Sequence, residues 1–145
     1  MAKINPYLHF NDNAEEAFNF YKSVFGGEFA TVMRYGDAAV CDEMQLSDGD
    51  KAKIMHIALP IGNDGVLMAS DSIEASGQTH KEGNNFSISV SVDSRDEADR
   101  VFKGLADGGK ETMPLQDTFW GAYFGMLEDS FGVNWMVNYD ERYAK

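Results

Sequence analysis

Residues 86–94, FSISVSVDS, alternate strictly, with Phe86, Ile88, Val90 and Val92 on one side and Ser87, Ser89 and Ser91 on the other. Successive side chains of a strand point to opposite faces, so one face belongs to a core and the other carries small hydroxyls. The next segment, RDEADRVFKGLA at 95–106, places Ala98, Val101, Phe102 and Leu105 on one helical stripe. Ser94 and Glu97 make an S-x-x-E capping box at its start, and Gly108-Gly109 closes it. The same pattern occurs earlier in the chain. INPYLHFND, residues 4–12, precedes NAEEAFNFYKSVF, whose Ala14, Ala17, Phe18, Tyr21, Val24 and Phe25 share a stripe; Asp12 or Asn13 is placed to cap it and Gly26-Gly27 to end it. The strands match at an offset of 82 (Ile4 to Phe86, Leu8 to Val90, Phe10 to Val92) and the helices at 81 (Glu16-Ala17 to Glu97-Ala98, Tyr21 to Phe102). The chain is an internal repeat.

Each helix is followed by further strand-like segments: EFATVMRY, AVCDEMQL, KIMHIALPI and GVLMASD in the first half, KETMPLQDTFW, AYFGMLE and GVNWMVNY in the second. Turn residues separate them at Gly36-Asp37, Ser47-Asp48-Gly49-Asp50, Asn63-Asp64-Gly65 and Ser130-Phe131-Gly132. Residues 71–85, DSIEASGQTHKEGNN, are polar and aperiodic and read as a connector. The expected organisation is one domain over 1–145, with a first module at about 1–71, a connector at about 72–84 and a second module at about 85–140. A module of this size is marginal alone, so each is expected to pack on the other or on a second chain.

Composition narrows the function classes. An apolar fraction of 43% is that of a folded globule rather than a disordered acidic tail. Twelve Lys and Arg against 24 Asp and Glu give a net charge of −12, and the basic footprint that nucleic acid or an anionic membrane requires is missing. No apolar run is long enough for a transmembrane helix, and MAKINPYLHF has no secretory pattern. Cys41 is the single cysteine, which excludes an internal disulfide and suits a reducing compartment. A cytoplasmic location is the expectation.

Two tandem β-α-β-β-β modules resemble the vicinal oxygen chelate superfamily, the glyoxalase/bleomycin-resistance/dioxygenase group. The opening NPYLHF followed by AEEAFNFYKSVFGGE is similar to its PhnB-like branch. So is the run formed by Asp117, Phe119-Trp120-Gly121, Gly125, Asp129, Phe131-Gly132 and Trp135; Ser130 departs from it where the family usually has proline. The resemblance implies an α+β fold, paired four-stranded sheets curling into a half-open barrel around a cavity, commonly in a homodimer. It also implies where a metal would be held, on the first and last strands of each module, at Asn5, Met68, Ser87 and Met136. These are poor ligands. Divalent transition metals take imidazole, carboxylate or thiolate, whereas amide and hydroxyl oxygens are weak donors and thioethers suit Cu(I). No metal and no other cofactor is expected.

Among the remaining candidates, Tyr7 and His9 follow Asn5 on one face by period two. His9 and His56 are the candidate acid/base pair; singly, each reads more simply as a hydrogen-bonded lining or semi-core residue. His80, in the connector, reads as a solvated side chain. Cys41 beside Asp42 and Glu43 has no activating neighbour and reads as a buried strand residue. Asp42, Glu43 and His56 offer an alternative metal cluster, though exposed acids are the simpler reading. Trp120 and Tyr123 suit a planar ligand such as a quinone, flavin or aromatic antibiotic, Trp135 reads as core, and Met68 and Met136 give an adaptable apolar floor. The branch often carries a methyltransferase label connected with demethylubiquinone. A methyl-donor site of the usual kind needs a Gly-rich strand-to-helix turn, and the Gly-Gly pairs here end helices instead.

The expected function is metal-independent binding of a small, partly aromatic molecule by Asn5, Tyr7, Met68, Ser87, Ser89, Trp120, Tyr123 and Met136, as bleomycin-resistance-type members sequester their ligands. The alternative is an enzyme, either an acid/base lyase or isomerase using His9 and His56 or a glyoxalase- or dioxygenase-like metalloenzyme with an unorthodox site. A small-molecule ligand and a second copy of the chain are the expected partners.

Overall fold

A computed structural model describes residues 2–37, 46–73 and 79–143. Cys41, Asp42 and Glu43, and with them most of the expected strand AVCDEMQL, lie outside the described residues. The chain divides into two compact units, Met1–Lys81 and Glu82–Lys145.

The first unit runs β1 (Tyr7–Phe10), α1 (Ala14–Phe25), β2 (Thr31–Arg34), β3 (Ile54–Ile61) and β4 (Gly65–Asp71). Its sheet has the order β1-β4-β3-β2. β1 pairs parallel with β4, and the other neighbours are antiparallel. The second unit repeats the plan with β5 (Ile88–Ser91), α2 (Arg95–Ala106), β6 (Lys110–Asp117), β7 (Tyr123–Glu128) and β8 (Asn134–Tyr139), in the order β5-β8-β7-β6. The α+β class and the doubled β-α-β-β-β order are those expected from the sequence. Ser47–Asp50, read as a turn, opens a single helical turn at Asp48–Lys51, in which Ser47 Oγ accepts from the Asp50 N–H.

In each unit the helix covers one face of the sheet. Ala14, Ala17, Phe18, Tyr21 and Val24 are buried on α1, against a sheet that supplies Leu8, Phe10, Ile57, Leu59, Leu67 and Ala69, all buried. On α2 the buried stripe is Ala98, Val101, Phe102 and Leu105, and Leu127, Trp135 and Val137 are buried on the strands. Each large side chain so buried contributes roughly 1.5–3 kcal/mol, which is what holds a helix to a four-stranded sheet. Gly125 is the point of closest approach on β7, because a Cβ there would lie 2.8 Å from the Phe102 ring.

Two expectations are corrected. The alternation at 86–94 predicts a strand from Phe86, but β5 begins at Ile88, so Phe86 and Ser87 precede it as Asn5 precedes β1, and Phe86, like its repeat partner Ile4, is exposed. Asn13 occupies the N-cap position of α1 but its side chain makes no capping bond. Asp71 at the end of β4 does that work: its Oδ1 accepts from Ala14 N–H at 2.9 Å and its Oδ2 from Ile54 N–H at 2.8 Å. The second helix is capped locally as expected. Glu97 N–H donates to Ser94 Oγ (3.0 Å), and the Glu97 carboxylate returns to Asp93 N–H (2.9 Å).

Candidate functional site

The helix-free face of each sheet carries most of the residues singled out from the sequence. In the first unit Leu8 and Phe10 turn toward α1, so Tyr7 and His9 point the other way and are exposed. Strand register sets Tyr7 beside Met68, His9 beside Ser70, Met68 beside Ala58 and His56 beside Met33. Tyr7 stands between the two histidines. Its ring is 5.7 Å from His56 in a stacked arrangement and 5.4 Å from His9, tilted by 43°. Tyr7 Oη lies 3.2 Å from His56 Nδ1, and Ser70 Oγ lies 3.5 Å from His9 Nδ1. When these hydroxyls donate, both imidazoles carry their proton on Nε2. Asn5 is spent on the sheet: its amide oxygen accepts from Val66 N–H at 3.3 Å and extends the β1–β4 ladder by one side-chain bond.

The second unit presents two rows across its open face. One is Ser89, Met136, Met126 and Met113; the other is Ser91, Asn138, Phe124 and Gln116. The serines of the alternating strand therefore look onto methionine and asparagine of β8, with Ser89 and Ser91 exposed and Ser87 half-buried. At one end of this face the Trp120 ring is 6.1 Å from Phe124 and 5.1 Å from Phe119, edge-on to both, and 48% of Trp120 is exposed. Trp120 is held through its backbone. Arg142 Nη2 donates to the Trp120 carbonyl (2.9 Å), and the Asp140 carboxylate grips the same guanidinium at 2.9 and 2.6 Å. The hydrogen bond from Arg142 holds the Asp140 carboxyl below the usual carboxylate range.

Sequence reading missed Met113, Met126 and Phe124. Met126 and Phe124 could have been found from the alternation of AYFGMLE, but Met113 lies between two register shifts in β6 that break the period. It also missed Arg142, whose clamp on Trp120 spans 22 residues of sequence.

Two placements differ from expectation. Tyr123 shares its face with Gly125 and Leu127, toward α2, so it does not join Ser89 and Met136. Its hydroxyl donates to Asp99 Oδ1 at 2.5 Å and the Arg95 guanidinium covers its ring at 4.0 Å. The Asp99 hydrogen bond, with burial second, raises the Tyr123 phenol above its ordinary range. His80 is half-buried rather than solvated, with its Nδ1 shielded from solvent. The cluster of Asp42, Glu43 and His56 lies partly outside the described residues, and among those described no three His, Cys, Asp or Glu side chains converge as a metal would need. Trp135 is core as expected, 1% exposed, with its indole N–H donating to Asp129 Oδ2.

Two four-stranded β-α-β-β-β units with helix-free faces define a chelate-type scaffold. The chain belongs to the Glyoxalase/Bleomycin resistance protein/Dioxygenase superfamily, whose profile matches residues 3–137. It is similar to Protein YjdN of Escherichia coli (strain K12), 32% identical over 144 residues that cover 93% of each chain. Among solved structures it is similar to protein PA1353 from Pseudomonas aeruginosa, at 43% identity and a TM-score of 0.83 over 97% of this chain and 98% of that one. It is also similar to a PhnB protein from Bacillus cereus, at 30% identity and a TM-score of 0.74 over 95% and 99%.

The superfamily's metal does not fit the residues at its ligand positions. Asn5 has its amide oxygen committed to Val66, Met68 and Met136 offer thioethers, and Ser87 offers a neutral hydroxyl. None is a donor that Zn, Ni, Mn or Fe(II) selects. Neither strand-to-helix turn, NDN at 11–13 or VDS at 92–94, contains a glycine to admit a nucleotide-type cofactor. Among the described residues no helix is long and apolar enough to cross a membrane.

Proposed function

We propose that this chain binds a small, partly aromatic molecule without the superfamily's metal, on the helix-free faces of its sheets. The observation that supports the reading is the composition of those faces. Each joins a polarisable methionine floor, Met68 in one unit and Met113, Met126 and Met136 in the other, to a few hydrogen-bonding groups. In the first unit these are Tyr7, His9 and His56; in the second they are the serines of β5, with Trp120 at the end. Apolar walls that adapt in shape, set with sparse polar groups that fix orientation, are the ordinary make-up of a small-molecule site.

Tryptophan fluorescence tests this directly, because Trp135 is buried and Trp120 is half-exposed. Titration with riboflavin and with a naphthoquinone is expected to give saturable quenching by at least one, lost in Trp120→Phe and weakened in Met126→Ala. Metal content is measured on the same untagged protein after exposure to Ni, Zn, Mn and Fe(II). Stoichiometric retained metal, or quenching by neither compound, overturns the reading. A second copy of the chain is part of the same proposal, supported by the apolar side chains left exposed at Ile4, Phe86 and Phe119. Light scattering is expected to return twice the 16.1 kDa chain mass.

One contact favours acid/base chemistry as a second reading. The Tyr7–His56 hydrogen bond orients an imidazole beside a phenol on the face that also bears His9. Under it, turnover of a bound compound would fall in both His9→Gln and His56→Gln; under pure binding, neither variant would alter the compound's chemical fate.

A further inference from the structure

Beside the open face of the first sheet lies a cavity of about 290 Å³ lined by His9, Ser72, Thr79, His80 and Lys81. Its composition runs against that of the chain. The protein carries twice as many acidic as basic residues, yet among the described residues none of the five that line it is a carboxylate, and every one can donate a hydrogen bond. The two described carboxylates adjacent in sequence to the lining are turned to other uses. Asp71, next to Ser72, has its two oxygens on the N–H groups of Ala14 and Ile54, on the helix side of the sheet. The Glu82 carboxylate, next to Lys81, lies against Gly132.

The geometry of His9 adds to this. Its Nδ1 lies against Ser70 Oγ, and when that hydroxyl donates, the proton is left on Nε2, making the imidazole a donor on its other side. Two imidazoles, two hydroxyls and one ammonium around a space of this size match an acceptor-only group that carries negative charge. The Lys81 ammonium repels a cation, and so many donors suit an apolar fragment poorly.

We infer that this cavity binds a small oxyanion, a phosphate or a carboxylate group, with Lys81 supplying the charge and His9, His80, Ser72 and Thr79 supplying hydrogen bonds. The site goes beyond the aromatic-ligand reading and does not depend on it, since a chain indifferent to flavins and quinones can still take up phosphate here.

The chain has only three histidines, so their ring resonances report the site directly. Inorganic phosphate and sodium benzoate are titrated separately, at constant pH and ionic strength, with the imidazole carbon-bound protons followed by NMR. The expected result is a saturable shift of the His9 and His80 signals, with His56, outside the cavity, moving less. Saturation by phosphate alone identifies a phosphate site, by benzoate alone a carboxylate site, and by both a general oxyanion site. Lys81→Ala is expected to weaken binding about tenfold, as the loss of a charge-assisted bond does. Lys103→Ala, which removes the same charge from the exposed side of α2, is expected to leave affinity within about twofold. No saturable shift with either anion overturns the inference. So does a His56 shift as large as those of His9 and His80, or equal weakening by Lys81→Ala and Lys103→Ala.

Discussion

Asp71 ties the end of β4 to both α1 and β3. Its side chain is 2% exposed and terminates two backbone donors, one on α1 and one on β3. Asp71→Ala leaves both donors buried and unmet and is expected to cost about 3 kcal/mol in urea unfolding. Asp71→Asn, which keeps one acceptor oxygen, costs less. Tyr35 is tied to the same residue, its hydroxyl donating to the Asp71 carbonyl at 2.9 Å. Burial first, and the Asp71 charge second, raise the Tyr35 phenol above its ordinary value. Its contribution is therefore complete below about pH 10, where folded and unfolded chains both hold the proton. It is lost as pH rises, because the unfolded chain deprotonates first. Glu15 has the opposite sign. The hydrogen bond from Arg34 lowers its carboxyl, so the pair contributes fully above about pH 4 and is lost as pH falls. The urea midpoint is expected to be flat between these limits and to fall on both sides. Tyr35→Phe is expected to make the alkaline limb shallower, leaving the Tyr123 share, while lowering the plateau by about 1 kcal/mol, since the Asp71 carbonyl loses its donor.

At the level of elements the two helices separate what local sequence determines from what it does not. Ser94 and Glu97 are legible because donor and acceptor lie within one turn. Asn13 looked equally suitable, yet the α1 cap comes from 57 residues downstream, which no local pattern can announce. Ser94→Ala is thus expected to cost about 1 kcal/mol and Asn13→Ala almost nothing, by the same urea measurement. The sheets were legible for a related reason. Period-two alternation put Tyr7 and His9 on one face and Leu8 and Phe10 on the other, as the register confirms. The same period misleads where a strand is irregular or begins late, as at Phe86. The aromatic character of Tyr123 suggests a ligand face, whereas its parity with Gly125 and Leu127 turns it toward α2. Distances across the sheet, such as that between Tyr7 and His56, depend on strand order and were beyond reach.

For the molecule as a whole, the surplus of acidic over basic residues is a source of self-repulsion in the folded state. Several of the cations are paired at the surface, among them Lys22 with Glu28, Arg34 with Glu15 and Arg95 with Asp117. Such exposed pairs are individually worth little, so their screening by added salt removes little stability. Screening of the net charge therefore dominates, and the melting temperature is expected to rise by a few degrees from low to high sodium chloride in a thermal scan. The two capping schemes also set a temporal order. The start of α2 is completed by its own neighbours, so it can form before any strand has paired, whereas the first turn of α1 stays frayed until β4 delivers Asp71. Two halves written to one pattern should therefore fold at different speeds. In pulse-labelled hydrogen exchange during refolding, the Ala98 amide should gain protection ahead of the Ala14 amide.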